Sequence, residues 1–433
     1  MTQSKNIHIV GAGLYGCLTA FHIAKKYPNF NINLIEGADR FMTPFNSIKI
    51  SGVPLNNGFH GIELPRAKKL LEFFSSELNV PFKIKPNRRW MSINGYLVNY
   101  EAPLSEWPNE LKGFFKAKPP FNGNTIEEFW STISTQYQDL IDRTALRYTK
   151  NSEEMRHFFI PWFFPADYVL NSDDEGDIFR NQVRNGNINP EYAHPEKHIF
   201  ANLQAAMARY LKKLGIKVYL STQVKFTNKG IDYISNDQHC NLQSADADKV
   251  FFCASSAIML KDVNPEMYLR LVENKRLMIN ALLEYDEILE NPAYFSEIIC
   301  IDEQAPHIAR ISSPKHFGAQ YPAKKLLQVE IFIEAEEDLE KVKASLEEHI
   351  KRILKLRKGN NLKQLGAKIT RAVFYPNQQE LDDARNTLEY WRQVNCPNLI
   401  LRNNFVPINM AKTWVLAEEN ATLFENNHNF SHT

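Results

Sequence analysis

The chain has 433 residues, 44% of them hydrophobic and 12% aromatic, so it can bury more than one core and is not a disordered polymer. Its 51 Lys and Arg against 50 Asp and Glu leave a net charge of +1, which removes any global electrostatic argument for nucleic acid or an anionic membrane as partner. The five cysteines, Cys17, Cys240, Cys253, Cys300 and Cys396, lack C-x-x-C spacing, no metal cluster emerges, and no apolar run is long enough for a bilayer span or a signal core; the expectation is a cytoplasmic protein with reduced thiols.

In chain order, residues 7–36 come first and organise the reading. A β-branched run enters Gly11-Ala12-Gly13-Leu14-Tyr15-Gly16, an amphipathic helix pattern follows through Leu18, Phe21 and Ala24, and a second apolar run ends in Glu36. Gly11 permits the tight turn, Gly13 lets backbone approach a pyrophosphate, and Gly16 lets the helix pack close to the strand. The phosphates then lie on the helix N-terminus, whose N–H groups and dipole favour anions. Glu36, about 20 residues after Gly16, is placed to accept ribose hydroxyls and disfavours a 2′-phosphate, so the expected ligand is an adenine dinucleotide, with NADP the least favoured. Gly37 continues into a turn, and Arg40 lies either near the cofactor phosphates or in solvent.

A glycine-punctuated loop, Asn57-Gly58-Phe59-His60-Gly61, precedes a helix expected over 66–78. Residues 89–93 and 96–100 read as a hairpin around Asn94-Gly95; Arg88, Arg89 and Trp90 either meet an anionic substrate or are solvated on an edge strand. Helical patterning covers 125–147. The aromatic run 158–165, broken by Pro161 and Pro165, is either core or the lining of a substrate pocket. His194 and His198 stand four apart, but Pro195 and the missing third ligand argue against zinc. A helix over 200–214 stops at Gly215 and feeds a strand and Val224, and 250–255 reads as a buried strand ending in small residues. Four strand-like runs between 278 and 332 predict an antiparallel sheet, followed by a charged helix over 339–356, then a helix over 380–390, a short strand at 398–401 and a final helix over 411–424.

The order of G-A-G-L-Y-G, Glu36 and N-G-F-H-G before a helix resembles FAD-dependent enzymes of the amine oxidase and protoporphyrinogen oxidase superfamily, and within it the UDP-galactopyranose mutase branch most. The resemblance implies that Gly58 and His60 lie against the flavin, that Val224 meets the adenine through its backbone, that Arg310 sits on a substrate strand, and that Arg402 or Asn404 contacts the cofactor, although Arg402-Asn403-Asn404 stands where the family has glycines. Near Tyr148-Thr149-Lys150 the mutase branch carries a Trp that this chain lacks at the expected spacing. The implied fold class is α/β: a doubly wound, Rossmann-like FAD-binding domain from 1–85, 193–260 and 370–433, with an inserted α+β substrate domain from 86–192 and 261–369. The implied activity is an FAD-dependent oxidoreductase in which flavin N5 accepts hydride from a small-molecule substrate. Two alternatives stand beside it, a UDP-sugar mutase-type isomerase and a dinucleotide-binding protein without turnover.

Overall fold

The structure is a computed structural model and describes residues 5–42, 45, 47–57, 61–144, 160–171, 175–196, 200–235, 238–242, 249–273, 275–286, 295–314, 325–355, 361–373, 377–402 and 410–424. Five parallel strands form its first sheet. They are β1 (Asn6–Val10), β2 (Asn31–Ile35), β3 (Lys217–Tyr219), β4 (Lys249–Phe252) and β5 (Leu399–Leu401), in the spatial order β3-β2-β1-β4-β5. The β-branched and aromatic residues of these runs suit a sheet buried on both faces.

Strand alternation divides their side chains between two cores. Ile7, Ile9, Ile32, Leu34 and Phe251 pack on one face with helices α1 (Leu14–Lys26), α2 (Ala201–Lys213) and α3 (Met410–Thr422). Val10, Ile35, Val250 and Phe252 pack on the other with Met259 and Leu260 of the helix Ser256–Val263 and Leu388 and Trp391 of the helix Gln378–Asn395. Helices on both faces of a parallel sheet are the doubly wound arrangement read from the sequence. Gly215, at φ +78°, stops the chain after α2 as expected, because an L-residue is strained there.

A second sheet has seven strands, in the order Leu362–Val373, Arg276–Tyr285, Leu326–Glu334, Ile308–Ser312, Glu297–Ile301, Arg89–Ile93 and Tyr96–Asn99. The sequence predicts an antiparallel sheet, and one pair departs from that: Glu297–Ile301 runs parallel to Arg89–Ile93. The hairpin that supplies Arg89–Ile93 enters from a distant part of the chain, so no local turn dictates its direction. Its own turn is as read, with Ile93 opposite Tyr96 and both Asn94 and Gly95 at positive φ. Helix Leu339–Ile353, capped by Asp338, covers the sheet through Leu346, Ile350 and Ile353.

Two expected helices are interrupted within the described residues. Over 66–78 the α-helix covers only Lys68–Glu72 and widens into a π-type turn at Phe73–Glu77. Over 125–147 it splits into Ile126–Ser131 and Thr135–Thr144, because the Thr132 carbonyl accepts from Lys116 N and Ser134 N donates to Phe114, bonds that leave the helix ladder. Of the aromatic run, Ile160, Phe163 and Phe164 are core side chains, and the Tyr137 hydroxyl donates to the Phe163 carbonyl at 2.8 Å. Phe158 and Phe159 lie outside the described residues.

Candidate functional site

The five parallel strands end on one line. Tyr219 is opposite Ile35, Ile35 opposite Val10, Val10 opposite Phe252, and Phe252 opposite Leu401. The next residues, Leu220, Glu36, Gly11, Cys253 and Arg402, therefore stand side by side at the carboxyl edge of the sheet, at the roughly 4.8 Å spacing of neighbouring strands. In open parallel sheets this edge is where ligands bind.

The loop that leaves β1 holds its shape through backbone contacts. Gly11 N donates to Ile35 O at 2.7 Å and the residue adopts φ +100°; a Cβ there would stand 2.8 Å from Ala254 N. A Cβ on Gly16 would stand inside the Gly11 carbonyl oxygen and within 3.3 Å of the Cys253 Cβ. These two glycines are demanded by packing. Gly13 differs, since a Cβ there would meet no atom within 4 Å. Gly13 is the N-cap of α1, no side chain caps the helix, and its first turn holds no acid. The positive end of α1 thus opens into space that a side chain at position 13 would fill, which fits an anionic ligand.

Leu14 is half-buried against the core, and Ala12 is fully buried. Ala12 N donates to Glu36 Oε2 at 2.7 Å, its carbonyl accepts from Met42 N at 2.8 Å, and Ala38 N donates to Glu36 Oε1 at 2.9 Å. The Glu36 carboxylate, half-buried, is pinned by two N–H groups, and each oxygen keeps a lone pair for a ribose hydroxyl. Thr222 N donates to Glu36 O and supports the turn from behind, with exposed Gly37 above it. Arg40 is exposed and forks onto Asp39 through bonds of 2.7 and 3.0 Å; the pair holds the Asp39 carboxyl below its usual range and points to a solvated ion pair. Val224 lies on the strand Gln223–Thr227, opposite Tyr233 and packed on the second core.

Arg402 lies at the far end of the line from Glu36. Its Nε donates to Asn420 Oδ1 at 3.0 Å and one terminal nitrogen to Glu419 Oε2 at 2.9 Å. Asn420, 1% exposed, donates in turn to the Tyr15 hydroxyl at 2.8 Å and to Thr19 Oγ1 at 3.0 Å. Burial pushes the Tyr15 phenol above its ordinary value, and Arg402 pulls against that shift. The thiols beneath the loop are held protonated: burial pushes Cys253 up to about 12, and burial with Glu36 nearby raises Cys17 well above its ordinary value. Met42, Thr222 and Asn420 carry no signal in the sequence, since each serves the site through backbone position or side-chain bonds to distant residues. Gly58, His60 and Asn404 lie outside the described residues, as do His198 and residues 148–150.

Away from this edge, Arg310 is an ion-pair partner within the second sheet, bonded to Glu297 at 3.2 Å and paired with Glu330 at 3.5 Å. Arg89 corrects the expectation of a solvated edge arginine. Its strand is interior, and its guanidinium, 11% exposed, bonds Glu297 at 2.6 Å, Glu63 at 2.9 Å and the Tyr192 hydroxyl, with Trp162 stacked 4.6 Å from it. The strand Tyr96–Asn99 takes the edge instead. Burial alone raises a carboxyl, yet Arg89 and Arg310 hold Glu297 below its ordinary value. Together Arg66, Glu63, Arg89, Glu297, Arg310 and Glu330 form one alternating ladder of charge. Among the described residues no His, Cys, Asp or Glu grouping suits a metal, and no helix is long and apolar enough to cross a membrane.

Residues 9–76 match the family model of the NAD(P)-binding Rossmann-like domain. No curated protein matches the chain by sequence. Among solved structures the fold is similar to that of reduced UDP-galactopyranose mutase, with a TM-score of 0.66 at 11% identity over 99% of this chain and 95% of that one. It is similar also to a triple mutant of putrescine oxidase made to redesign cofactor binding, with a TM-score of 0.59 at 13% identity over 98% and 99%. A candidate protoporphyrinogen oxidase from Exiguobacterium sp. 255-15 gives 0.58 at 14% identity over 99% and 100%. The resemblance read from the sequence is thus borne out at the level of the fold.

Proposed function

We propose that the chain is an FAD-dependent oxidoreductase acting on a small molecule. The observation that carries this reading is the carboxyl edge of the parallel sheet, where an uncapped, acid-free helix N-terminus opens beside Gly13 while Glu36 waits at the neighbouring strand end with ribose-accepting lone pairs. The N-terminal match, to an NAD(P)-binding Rossmann-like domain, leaves the dinucleotide open, and the carboxylate of Glu36 disfavours a ribose 2′-phosphate. The choice of FAD is supported by the order of later segments and by a fold similar to that of putrescine oxidase and the mutase over nearly the whole chain.

In this reading the loop 11–16 holds the pyrophosphate through the N–H groups from Gly13 onward, those of Gly11 and Ala12 being taken by Ile35 and Glu36; Glu36 and Gly37 hold the adenosine ribose, Val224 borders the adenine and Arg402 adds positive charge, while Arg40 stays paired with Asp39. Gly58, His60 and Asn404 are proposed for the flavin side on the resemblance alone, and Arg310 for the substrate side. FAD, when bound, supplies a hydride acceptor at N5. The protein's own share is orientation, exclusion of water and a fixed field of dipoles.

The test is direct. Purified protein, as isolated or after incubation with FAD, is expected to show a bound-flavin spectrum, and a substrate panel under anaerobic conditions is expected to bleach it. Protein that never takes up flavin would overturn the reading. A second reading, a UDP-sugar mutase-type isomerase, is supported by the TM-score of 0.66 to reduced UDP-galactopyranose mutase; it calls for rearrangement of a UDP-sugar only after chemical reduction of the flavin. A binding protein without turnover is supported by Arg402-Asn403-Asn404 standing where the resembled family has glycines, and it calls for bound flavin that no substrate bleaches.

A further inference from the structure

The side chain of Asn420 joins three separate parts of the cofactor edge. Its amide nitrogen reaches back 405 and 401 residues to Tyr15 and Thr19, both on α1, and its amide oxygen takes the Nε proton of Arg402. Tyr15 belongs to the phosphate loop, and Arg402 is the first residue beyond β5, on the same line of strand ends as Gly11. An amide is suited to this position because it presents a donor group and an acceptor on one rigid plane, whereas a carboxylate offers no donor and an aliphatic residue neither. At 1% exposure water does not compete for these bonds. Glu419, the other partner of Arg402, is half-exposed, so solvent screens its charge and the guanidinium keeps a net positive field at the edge.

We propose that Asn420 is a positioning residue that orients the Arg402 guanidinium toward an anionic group at the N-terminus of α1 and locks the last helix to that turn. The inference rests on the dinucleotide reading and deepens it: the anion is the diphosphate that FAD and ADP share. The C-terminal helix is thereby part of the anion site, although no residue of its own lies in the phosphate loop.

The experiment uses the full chain freed of cofactor, with FAD and ADP titrated by calorimetry at low and high salt and thermal unfolding of each apo variant recorded alongside. Arg402→Ala and Asn420→Ala are each expected to weaken both ligands on the order of tenfold and to flatten the salt dependence. The double variant is expected to bind no more weakly than Arg402→Ala, because Asn420 acts through the arginine. Asn420→Asp, of nearly the same shape, keeps an acceptor for Arg402 and sets a carboxylate against its charge; it is expected to bind at least as weakly as Asn420→Ala and covers the case in which the alanine variant does not fold. Thr19→Val, which removes the bonds from Asn420 and from the Cys253 thiol without touching Arg402, is expected to lower apo stability and leave the salt dependence unchanged. Additive losses in the double variant, or Asn420→Asp binding FAD as tightly as the parent protein, would overturn the inference and leave the flavoprotein reading standing. A parent protein that binds neither ligand would overturn both.

Discussion

Gly13 and Gly16 are three residues apart in one motif, yet they answer to different demands. Gly16 is required by the empty fold, since any Cβ would collide with the Gly11 carbonyl. Gly13 has open space around it, so its lack of a side chain matters only when something occupies that space. Gly16→Ala is therefore predicted to destabilise the apo protein by about 3 kcal/mol or more, an overpacking cost seen in thermal unfolding without ligand. Gly13→Ala is predicted to shift apo stability by no more than about 1 kcal/mol while weakening FAD roughly ten- to a hundredfold. An alanine at 13 that leaves FAD affinity intact would contradict the close approach of a ligand at that residue. The motif G-x-G-x-x-G announced both glycines. It did not distinguish them, because the distinction lies in what stands opposite each one.

At the level of elements, the strand Arg89–Ile93 was legible as half of a hairpin but not in its environment. Arginine at the start of a hairpin strand reads as solvated, and only the parallel pairing with Glu297–Ile301 brings Glu297 to Arg89. Glu297→Gln leaves Arg89 and Arg310 without their shared charge partner and is predicted to cost about 3–5 kcal/mol, checked by denaturant unfolding. Because the folded pKa of Glu297 is below its ordinary 4.5, its contribution is complete above about pH 4.5 and is lost as pH falls through the folded value; the Gln variant should show a flatter stability curve on that acid limb. The strand Glu191–Pro195 carries a second acid-sensitive group. His194 is 1% exposed with Nδ1 against the Pro195 carbonyl, and burial pushes it down to about 4 from 6.5. A group kept neutral by the fold adds stability that is present above pH 6.5 and falls away between 6.5 and about 4, here by about 3 kcal/mol. His194→Gln is predicted to remove most of that slope, measured as Tm against pH.

For the whole molecule, the consequence of the fold is that the N-terminal unit is not self-sufficient. Residues 9–76 match a Rossmann-like domain, yet of the five parallel strands they hold only β2 and the last two residues of β1, Ile9 and Val10. The core on the α1 face also needs Leu203, Met207 and Leu211 of α2, Phe251 of β4 and Ala417 and Ala421 of α3. A fragment of residues 1–85 is therefore predicted to show no cooperative thermal transition by circular dichroism, whereas the full chain does. Cooperative melting of the fragment alone would contradict this dependence on distant segments.

The local elements of this chain follow from its sequence by short-range physics. Period-two runs became strands, Asn94-Gly95 became a turn because both residues tolerate positive φ, Gly215 ended α2 for the same reason, and the loop from Gly11 to Gly16 with Glu36 was marked by spacing alone. What the tertiary structure decided is which distant ends meet. The alignment of Tyr219, Ile35, Val10, Phe252 and Leu401 on one edge, the ladder through Arg89 and Glu297, and the reach of Asn420 to Tyr15 depend on strand pairing and helix docking across hundreds of residues. Periodicity carries no record of partners at that separation, so the glycine loop could be read in advance and Arg402 was implied by the resemblance, while the asparagine that holds that arginine became visible only in the folded chain.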